Sequence, residues 1–389
     1  MFKVLTLNNI SVAGLDRLPR DQYEIASEIP SPDAVLVRSF KIHDWPIPDT
    51  LQAIGRAGAG VNNIPVDEMT KKGIPVFNTP GANANAVQEL VLTGMLLSAR
   101  NICSAWEFAK TLDGSDAEIT KQVESGKKNF VGFELPGKTL GVVGLGAIGI
   151  KIANTAISLG MRVIGYDPKM TVQSAWKLSH EVEQATSIDG LLSECDFVTF
   201  HVPLIDATRN LINTERLENM RDNVTILNFS RSGIINDEAV IEALDKGKVH
   251  AYICDFPSNL LKQHPKVVTL PHLGASTAEA EDNCAIIVAD QIKDYLENGN
   301  IRNAVNFPTV KMPKMKGQYR LTIAHENIPN IIGPITNAIA KVDVNIIDML
   351  NKSLNEAAYT LIDTEAALPN TVIDEIKAIE GVLNVRCLN

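Results

Sequence analysis

Residues 138–149, reading Lys138-Thr-Leu-Gly-Val-Val-Gly-Leu-Gly-Ala-Ile-Gly149, constrain this chain more than any other stretch. The apolar run predicts a buried strand, and Gly144, Gly146 and Gly149 turn it into a helix over residues 148–159. Each glycine has its own reason in a phosphate-binding turn. Gly144 permits a tight reversal, Gly146 lets a pyrophosphate approach the backbone, and Gly149 lets the helix sit close on the sheet. Free N–H groups and the positive dipole end at the helix start favour an anion, which adds Ala147 and Ile148 to the expected contacts. Alone, the pattern also fits a plain packing corner.

The following segment supplies the context. Gly160-Met-Arg-Val-Ile-Gly-Tyr-Asp167 is a second apolar strand ending in a carboxylate, 18 positions beyond Gly149. A carboxylate there accepts hydrogen bonds from both adenosine ribose hydroxyls and repels a 2′-phosphate, which predicts NAD rather than NADP. The competing reading is a turn aspartate ahead of Pro168.

Apolar strands and helical stretches alternate on both sides of this unit, which predicts an α/β fold with parallel sheets. Residues 84–99 read as a helix apolar nearly all round, and residues 111–130 as an irregular surface excursion. A parallel sheet binds ligands beyond the carboxyl ends of its strands. Those ends hold His201-Val-Pro203, Asn228-Phe-Ser-Arg231, Asp255-Phe-Pro257 and Pro271-His272-Leu-Gly274. Near the start, Val37-Arg38-Ser39 and Arg56-Ala-Gly58-Ala59-Gly60 predict a loop whose amides and arginines face a small anion, although either arginine alone also reads as a surface cation. After a helix from about residue 275 to 298, a proline- and lysine-rich stretch reads as a linker. Residues 318–389 then follow the order β-α-β-β-α-β of a ferredoxin-like domain.

With 389 residues and a formal charge of −10, the chain is long enough for two or three domains and lacks the clustered cations that nucleic acid requires. No apolar run approaches membrane-spanning length, and the cytoplasm is the expected location. Five scattered cysteines suggest neither a disulfide framework nor a metal site.

Arg231 and His272 suit hydride transfer between an alcohol and a ketone. A guanidinium holds a carboxylate through two parallel hydrogen bonds and polarises a carbonyl, while an imidazole takes the hydroxyl proton near neutral pH. With these residues in place the chain resembles the D-isomer-specific 2-hydroxyacid dehydrogenases over nearly its whole length. The resemblance is carried by Val37-Arg-Ser39, Gly58-Ala-Gly-Val-Asn-Asn63, Gly132-Phe-Glu-Leu-Pro-Gly-Lys-Thr-Leu-Gly141, Gly144-Leu-Gly-Ala-Ile-Gly149, Tyr166-Asp-Pro168, His201-Val-Pro-Leu204 with Thr208, Asn228-Phe-Ser-Arg-Ser-Gly233 and Pro271-His-Leu-Gly-Ala-Ser-Thr277.

The resemblance implies a Rossmann-type nucleotide domain (101–274) inserted in a flavodoxin-like substrate domain (1–100 and 275–305), with a cleft between them, then a linker (306–317) and an ACT regulatory domain (318–389). It implies NAD held by Gly144, Gly146, Ala147, Ile148, Gly149, Asp167, His201, Val202, Pro203, Thr208, Phe229, Ser230, Asp255 and Gly274. Catalysis falls to Arg231 and His272, and substrate binding to Arg38, Ser39, Arg56, Ala59 and Gly60. The implied substrate is 3-phospho-D-glycerate, and the implied effector L-serine, bound by His325, Asn327 and Asn345 between subunits of a homodimer or homotetramer. The alternatives are another dehydrogenase of the hydroxypyruvate or glyoxylate reductase type, or a non-enzymatic NAD-sensing, corepressor-like binding protein.

The sequence departs from the family's pattern in three places. In Asp255-Phe-Pro-Ser-Asn259-Leu260 no carboxylate stands at the place where the family puts the Glu partner of its catalytic His, leaving Asn259 or Lys262 as substitutes. Gly126-Lys-Lys-Asn129 lacks a Trp common in relatives. Pro329-Asn330 replaces a Pro-Gly turn, which Asn makes by tolerating a positive φ.

Overall fold

In the computed structural model, which describes residues 1–315 and 317–388, short apolar runs at the start of the chain form five parallel strands. These are β1 (Phe2–Leu7), β2 (Tyr23–Ala26), β3 (Ala34–Val37), β4 (Ala53–Arg56) and β5 (Val76–Phe77), in the order β2-β1-β3-β4-β5. β3 is buried at every residue, as a central strand covered on both faces must be. Helix Ala278–Asn298 lies against this sheet, with Val288 and Ile292 over Gly55, where even a methyl group would come within 2.6 Å of Val288. Sequence far apart in the chain thus forms one unit, Met1–Ala82 with Ala278 onward, and residues 83–277 form the other.

The second unit holds seven parallel strands: β6 (Thr139–Val143), β7 (Arg162–Tyr166), β8 (Glu183–Gln184), β9 (Phe197–Phe200), β10 (Val224–Asn228), β11 (Val249–Cys254) and β12 (Val267–Thr269). Their order is β12-β11-β10-β9-β6-β7-β8. The chain runs outward from β6 through β7 to β8, then crosses back to β9, so the topological switch lies between β6 and β9. That is the doubly wound arrangement in which ligands sit beyond the strand ends at the reversal.

Helix Ala84–Ala99 was expected with the first domain, bounded at residue 100. It belongs instead to the second unit, because Val87, Val91, Met95 and Ala99 pack with Leu140, Val142, Ile152 and Phe229. The boundaries therefore fall at 82/83 and 277/278. The irregular excursion expected over 111–130 is also corrected. Asp116–Gly126 is a helix whose start is fixed by a capping box between Ser115 and Glu118, continued by a 3₁₀ turn at Lys127–Phe130.

The C-terminal segment folds as four antiparallel strands, β13 (Tyr319–Glu326), β14 (Ile346–Leu354), β15 (Ala357–Thr364) and β16 (Val382–Leu388), in the order β14-β15-β13-β16. Helices Ile332–Ala340 and Asn370–Lys377 cover one face over Leu321, Ile323 and Ile362. The other face is not free. Ala324, Tyr359 and Leu361 pack on Tyr295, Leu296, Phe307 and Met312. The stretch expected as a linker is thus largely core, with Phe307 1%, Val310 0% and Met312 4% exposed. Lys316 of that expected linker, and Asn389 at the end of the expected third domain, lie outside the described residues.

Arg320 seals this junction. Its side chain is fully buried, pairs bidentately with Asp363 (2.6 and 2.7 Å), and donates to the carbonyls of Asn298, Met312 and Pro313. A buried guanidinium is tolerable only when its donors are satisfied, and here every nitrogen has a partner. Tyr359 Oη donates to Gly299 O and Arg386 to the carbonyls of Tyr295 and Leu296, so three strands of the C-terminal sheet cap the end of helix Ala278–Asn298.

Candidate active site

The glycine turn between β6 and helix Ala147–Ser158 shows why each glycine is there. Gly144 has φ +95°, and a Cβ on it would lie 2.5 Å from His201 O, while a Cβ on Gly149 would lie 1.9 Å from Gly144 O. At Gly146 a Cβ would meet nothing within 4 Å. The outer two are thus required by the protein's own packing, and the middle one faces open space. Gly146 is also the helix N-cap, with no side chain bonding the first N–H groups. A bare helix start beside open space fits a pyrophosphate.

At the end of β7, half-buried Asp167 accepts from the Leu145 amide (2.9 Å) and the Lys169 amide (2.8 Å). The carboxylate is thereby held beside the glycine turn, where a ribose acceptor belongs. Across the switch point, His201 closes β9. Its Nε2 lies 2.9 Å from Thr199 Oγ1, and its Nδ1 is buried without a partner among the described residues. Burial pushes the imidazole down to about 3. Thr208 braces the Val202-Pro203 turn, its hydroxyl accepting from the Ile205 amide and donating to Pro203 O.

Two further strand ends carry the expected chemistry. Beyond β10, Phe229 is buried while Arg231 is exposed. The residue that shapes this turn is Asn228, only 1% exposed, whose Nδ2 donates to Arg231 O and whose Oδ1 accepts from the Ser230 amide and hydroxyl. From sequence, Asn228 stands at this strand end and opens the quoted motif, but nothing there gives it a role of its own. Beyond β12, His272 takes a left-handed φ of +55° and exposes its ring. Asp255, 1% exposed, holds that bend: its oxygens accept from the amides of Leu273 (2.8 Å) and Gly274 (3.0 Å), and its carbonyl accepts from His272 N–H. Expected as a cofactor contact, Asp255 has the further duty of fixing the loop that presents His272.

Within this unit no described side chain hydrogen-bonds the His272 imidazole. Asn259 and Lys262, considered as substitutes for the missing Glu, are both exposed. Its ring neighbour is Phe256, edge-on at 5.2 Å between centroids and 67° between planes.

In the first unit, Arg38 and Ser39 follow β3, and Arg56 ends β4. The Arg38 guanidinium pairs with Glu281 at 2.6 Å. Arg56 Nε donates to Arg38 O, and its guanidinium folds over Gly58, where a Cβ would lie 1.7 Å from Nη1. Gly60 faces open space, Ala59 O accepts from Asn78, and Asn8 Oδ1 accepts from the amides of Ser39 and Phe40. Asn8 and Glu281 were not singled out in the sequence, since each acts across a long separation.

The expected effector residues do not converge within one chain. His325 pairs across the sheet with Ala358, whereas Ile346, just after Asn345, pairs with Thr364, so the two lie toward opposite ends of β15. His325 is 1% exposed, with Nδ1 on Glu326 O (2.8 Å) and Nε2 on Thr360 Oγ1 (2.9 Å). That corrects its expected role: a ring with both nitrogens engaged has none left for a ligand, and it braces the strand end beside Asn327. Asn327 and Asn345 are exposed, and Asn330 makes its turn with φ +64°.

Residues 102–274 match the family model described as D-isomer specific 2-hydroxyacid dehydrogenase, NAD binding domain. A D-3-phosphoglycerate dehydrogenase from Methanocaldococcus jannaschii is 38% identical over 79% of this chain, which spans 58% of that protein. One from Haemophilus influenzae is 32% identical over 87% of this chain and 81% of its own length. Among solved structures, an NAD+-bound 3-phosphoglycerate dehydrogenase of Entamoeba histolytica is similar with TM-score 0.60 and 26% identity, covering 78% of this chain and 98% of its own.

Proposed function

The chain belongs to the D-isomer-specific 2-hydroxyacid dehydrogenases and is an NAD-dependent oxidoreductase, and from that premise we propose that it oxidises 3-phospho-D-glycerate to 3-phosphohydroxypyruvate. The observation that supports the reaction best is the pair of loops at the carboxyl edge of one parallel sheet. One exposes the Arg231 guanidinium over buried Asn228, and the other exposes the His272 imidazole over buried Asp255. Bound NAD supplies the hydride acceptor. Arg231 binds the substrate carboxylate and polarises the C2 oxygen, and His272 removes the C2 hydroxyl proton as the C2 hydrogen leaves with its electron pair. Rigid loops matter because catalysis rewards groups that need no reorganisation.

Arg38 and Arg56, with the open backbone at Ala59 and Gly60, are the proposed anchor for the phosphate, a group that a bare hydroxy acid lacks. Reduction of 3-phosphohydroxypyruvate, followed as loss of NADH absorbance, tests the reading. Turnover no better than with glyoxylate or hydroxypyruvate sinks it.

The C-terminal domain is the proposed L-serine site. Asn345 offers a donor and an acceptor to the amino acid's carboxylate and ammonium groups, and Asn327 of a second copy completes the site, with His325 as its brace. Their separation along β15 is what calls for two copies. A serine titration of wild type and Asn345→Ala decides this. The half-inhibiting concentration should rise at least about tenfold, the size of an ordinary allosteric coupling. Lack of inhibition in wild type removes serine as the effector.

A further inference from the structure

The first turn of helix Ala278–Asn298 places Glu281 against Arg38, Nη2 to Oε1 at 2.6 Å, with both side chains about two-fifths exposed (40% and 43%). The helix is fixed along its length. Asp282 accepts from Ser11 Oγ, Asp290 takes both Nε and Nη2 of Arg17, and the far end is capped by Arg320, Tyr359 and Arg386. Arg38 is fixed from the other side, its carbonyl receiving Arg56 Nε while Asn8 holds the next two amides. Neither backbone is free to carry its partner away. The pair can open only by rotation of the Glu281 and Arg38 side chains.

We propose that Glu281 is a specificity-determining residue that competes with the substrate's phosphate for Arg38; this rests on the phosphorylated-substrate reading above. A half-exposed ion pair is worth no more than about a fivefold preference, weak enough for a phosphate to displace because the phosphate offers Arg38 a bidentate, doubly charged partner. A ligand with no second anion cannot displace Glu281. It gains nothing from Arg38 whether or not Glu281 is charged, so the latch lowers affinity for the phosphorylated substrate alone and sets how strongly that substrate is preferred.

The test is Glu281→Gln, which keeps the side chain's length and removes its charge. For 3-phosphohydroxypyruvate, kcat/KM should rise about two- to fivefold, the worth of one exposed pair, and should not change for hydroxypyruvate. Calorimetry with inorganic phosphate should show the same two- to fivefold tightening, shrinking as salt is added. In Arg38→Gln the phosphate binding is lost, and adding Glu281→Gln to that variant should restore nothing. Unchanged or weakened phosphate binding in Glu281→Gln overturns the proposal, as does tightening that persists without Arg38. If wild type fails to reduce 3-phosphohydroxypyruvate, the substrate reading falls, while the phosphate titration still decides the role of Glu281.

Discussion

His272 follows β12 with its ring exposed and its backbone bent to φ +55°, whereas His325 lies within β13, 1% exposed and bonded at both ring nitrogens. Both are histidines at the end of an apolar strand, and both were assigned ligand-facing roles from sequence. What separates them is where the neighbouring hydrogen bonds go. Around His272, buried Asp255 satisfies the backbone and leaves the imidazole to the open side. Around His325, Glu326 O and Thr360 consume the imidazole itself. A histidine is left available for chemistry when other groups hold its backbone, and is taken up by structure when its ring does the holding.

The largest test of that contrast exchanges the two rings in turn. His272→Asn should lower turnover roughly 10²- to 10⁴-fold, the usual worth of a general base, with an unchanged unfolding midpoint. His325→Asn should do the reverse, leaving turnover within about twofold and destabilising by about 1–3 kcal/mol through buried groups left unpaired. Steady-state kinetics and urea unfolding on both variants decide it, and a catalytic loss in His325→Asn breaks the comparison.

Next comes the buried hub. Arg320→Met strands Asp363 in the core and should cost about 3–5 kcal/mol, whereas Arg320→Met combined with Asp363→Leu should recover most of that, because an apolar pair needs no compensation. Calorimetric melting reads both. A smaller effect is expected at Asp255→Ala, which frees the amides of Leu273 and Gly274. Turnover should fall about tenfold to a hundredfold, as expected from about 1–3 kcal/mol of lost loop definition, while circular dichroism stays unchanged.

Much of this was legible in the sequence for a physical reason. Gly144, Gly146 and Gly149 act within a few residues of one another, and their spacing carries the whole turn. Asp167 was found from its distance to that turn, and it does bond there. The order of elements in the C-terminal domain followed from periodicity alone. Long-range polar contacts were not legible: Asp255 reaches amides beyond β12, Glu281 reaches Arg38 across most of the chain, and Arg320 reads as a strand residue until Asp363 and three carbonyls surround it. Helix Ala84–Ala99 was recognised but given to the wrong unit, since a helix apolar on many sides does not say which sheet it covers. His325 failed for the same reason as the long-range pairs, because Thr360 lies on another strand.

The smallest effect concerns the third histidine, which tests the contrast through pH. Burial lowers the His201 imidazole from 6.5 to about 3 in the folded chain, and its sealed Nδ1 has no partner among the described residues to offset that. The unfolded chain therefore binds a proton that the folded chain refuses. The sign follows: this residue's contribution to stability is intact above pH 6.5 and is lost progressively as the pH falls from 6.5 toward 3. Other groups titrate in that window, among them Asp237, whose carboxyl burial pushes up and which acts in the opposite sense. They are common to wild type and to His201→Gln, so the difference between the two isolates the imidazole. Urea midpoints measured at about pH 7.5 and about pH 5 should drop further in wild type than in His201→Gln. An equal drop in both would mean that His201 charges freely in the folded chain, and that the end of β9 is open enough to hydrate it.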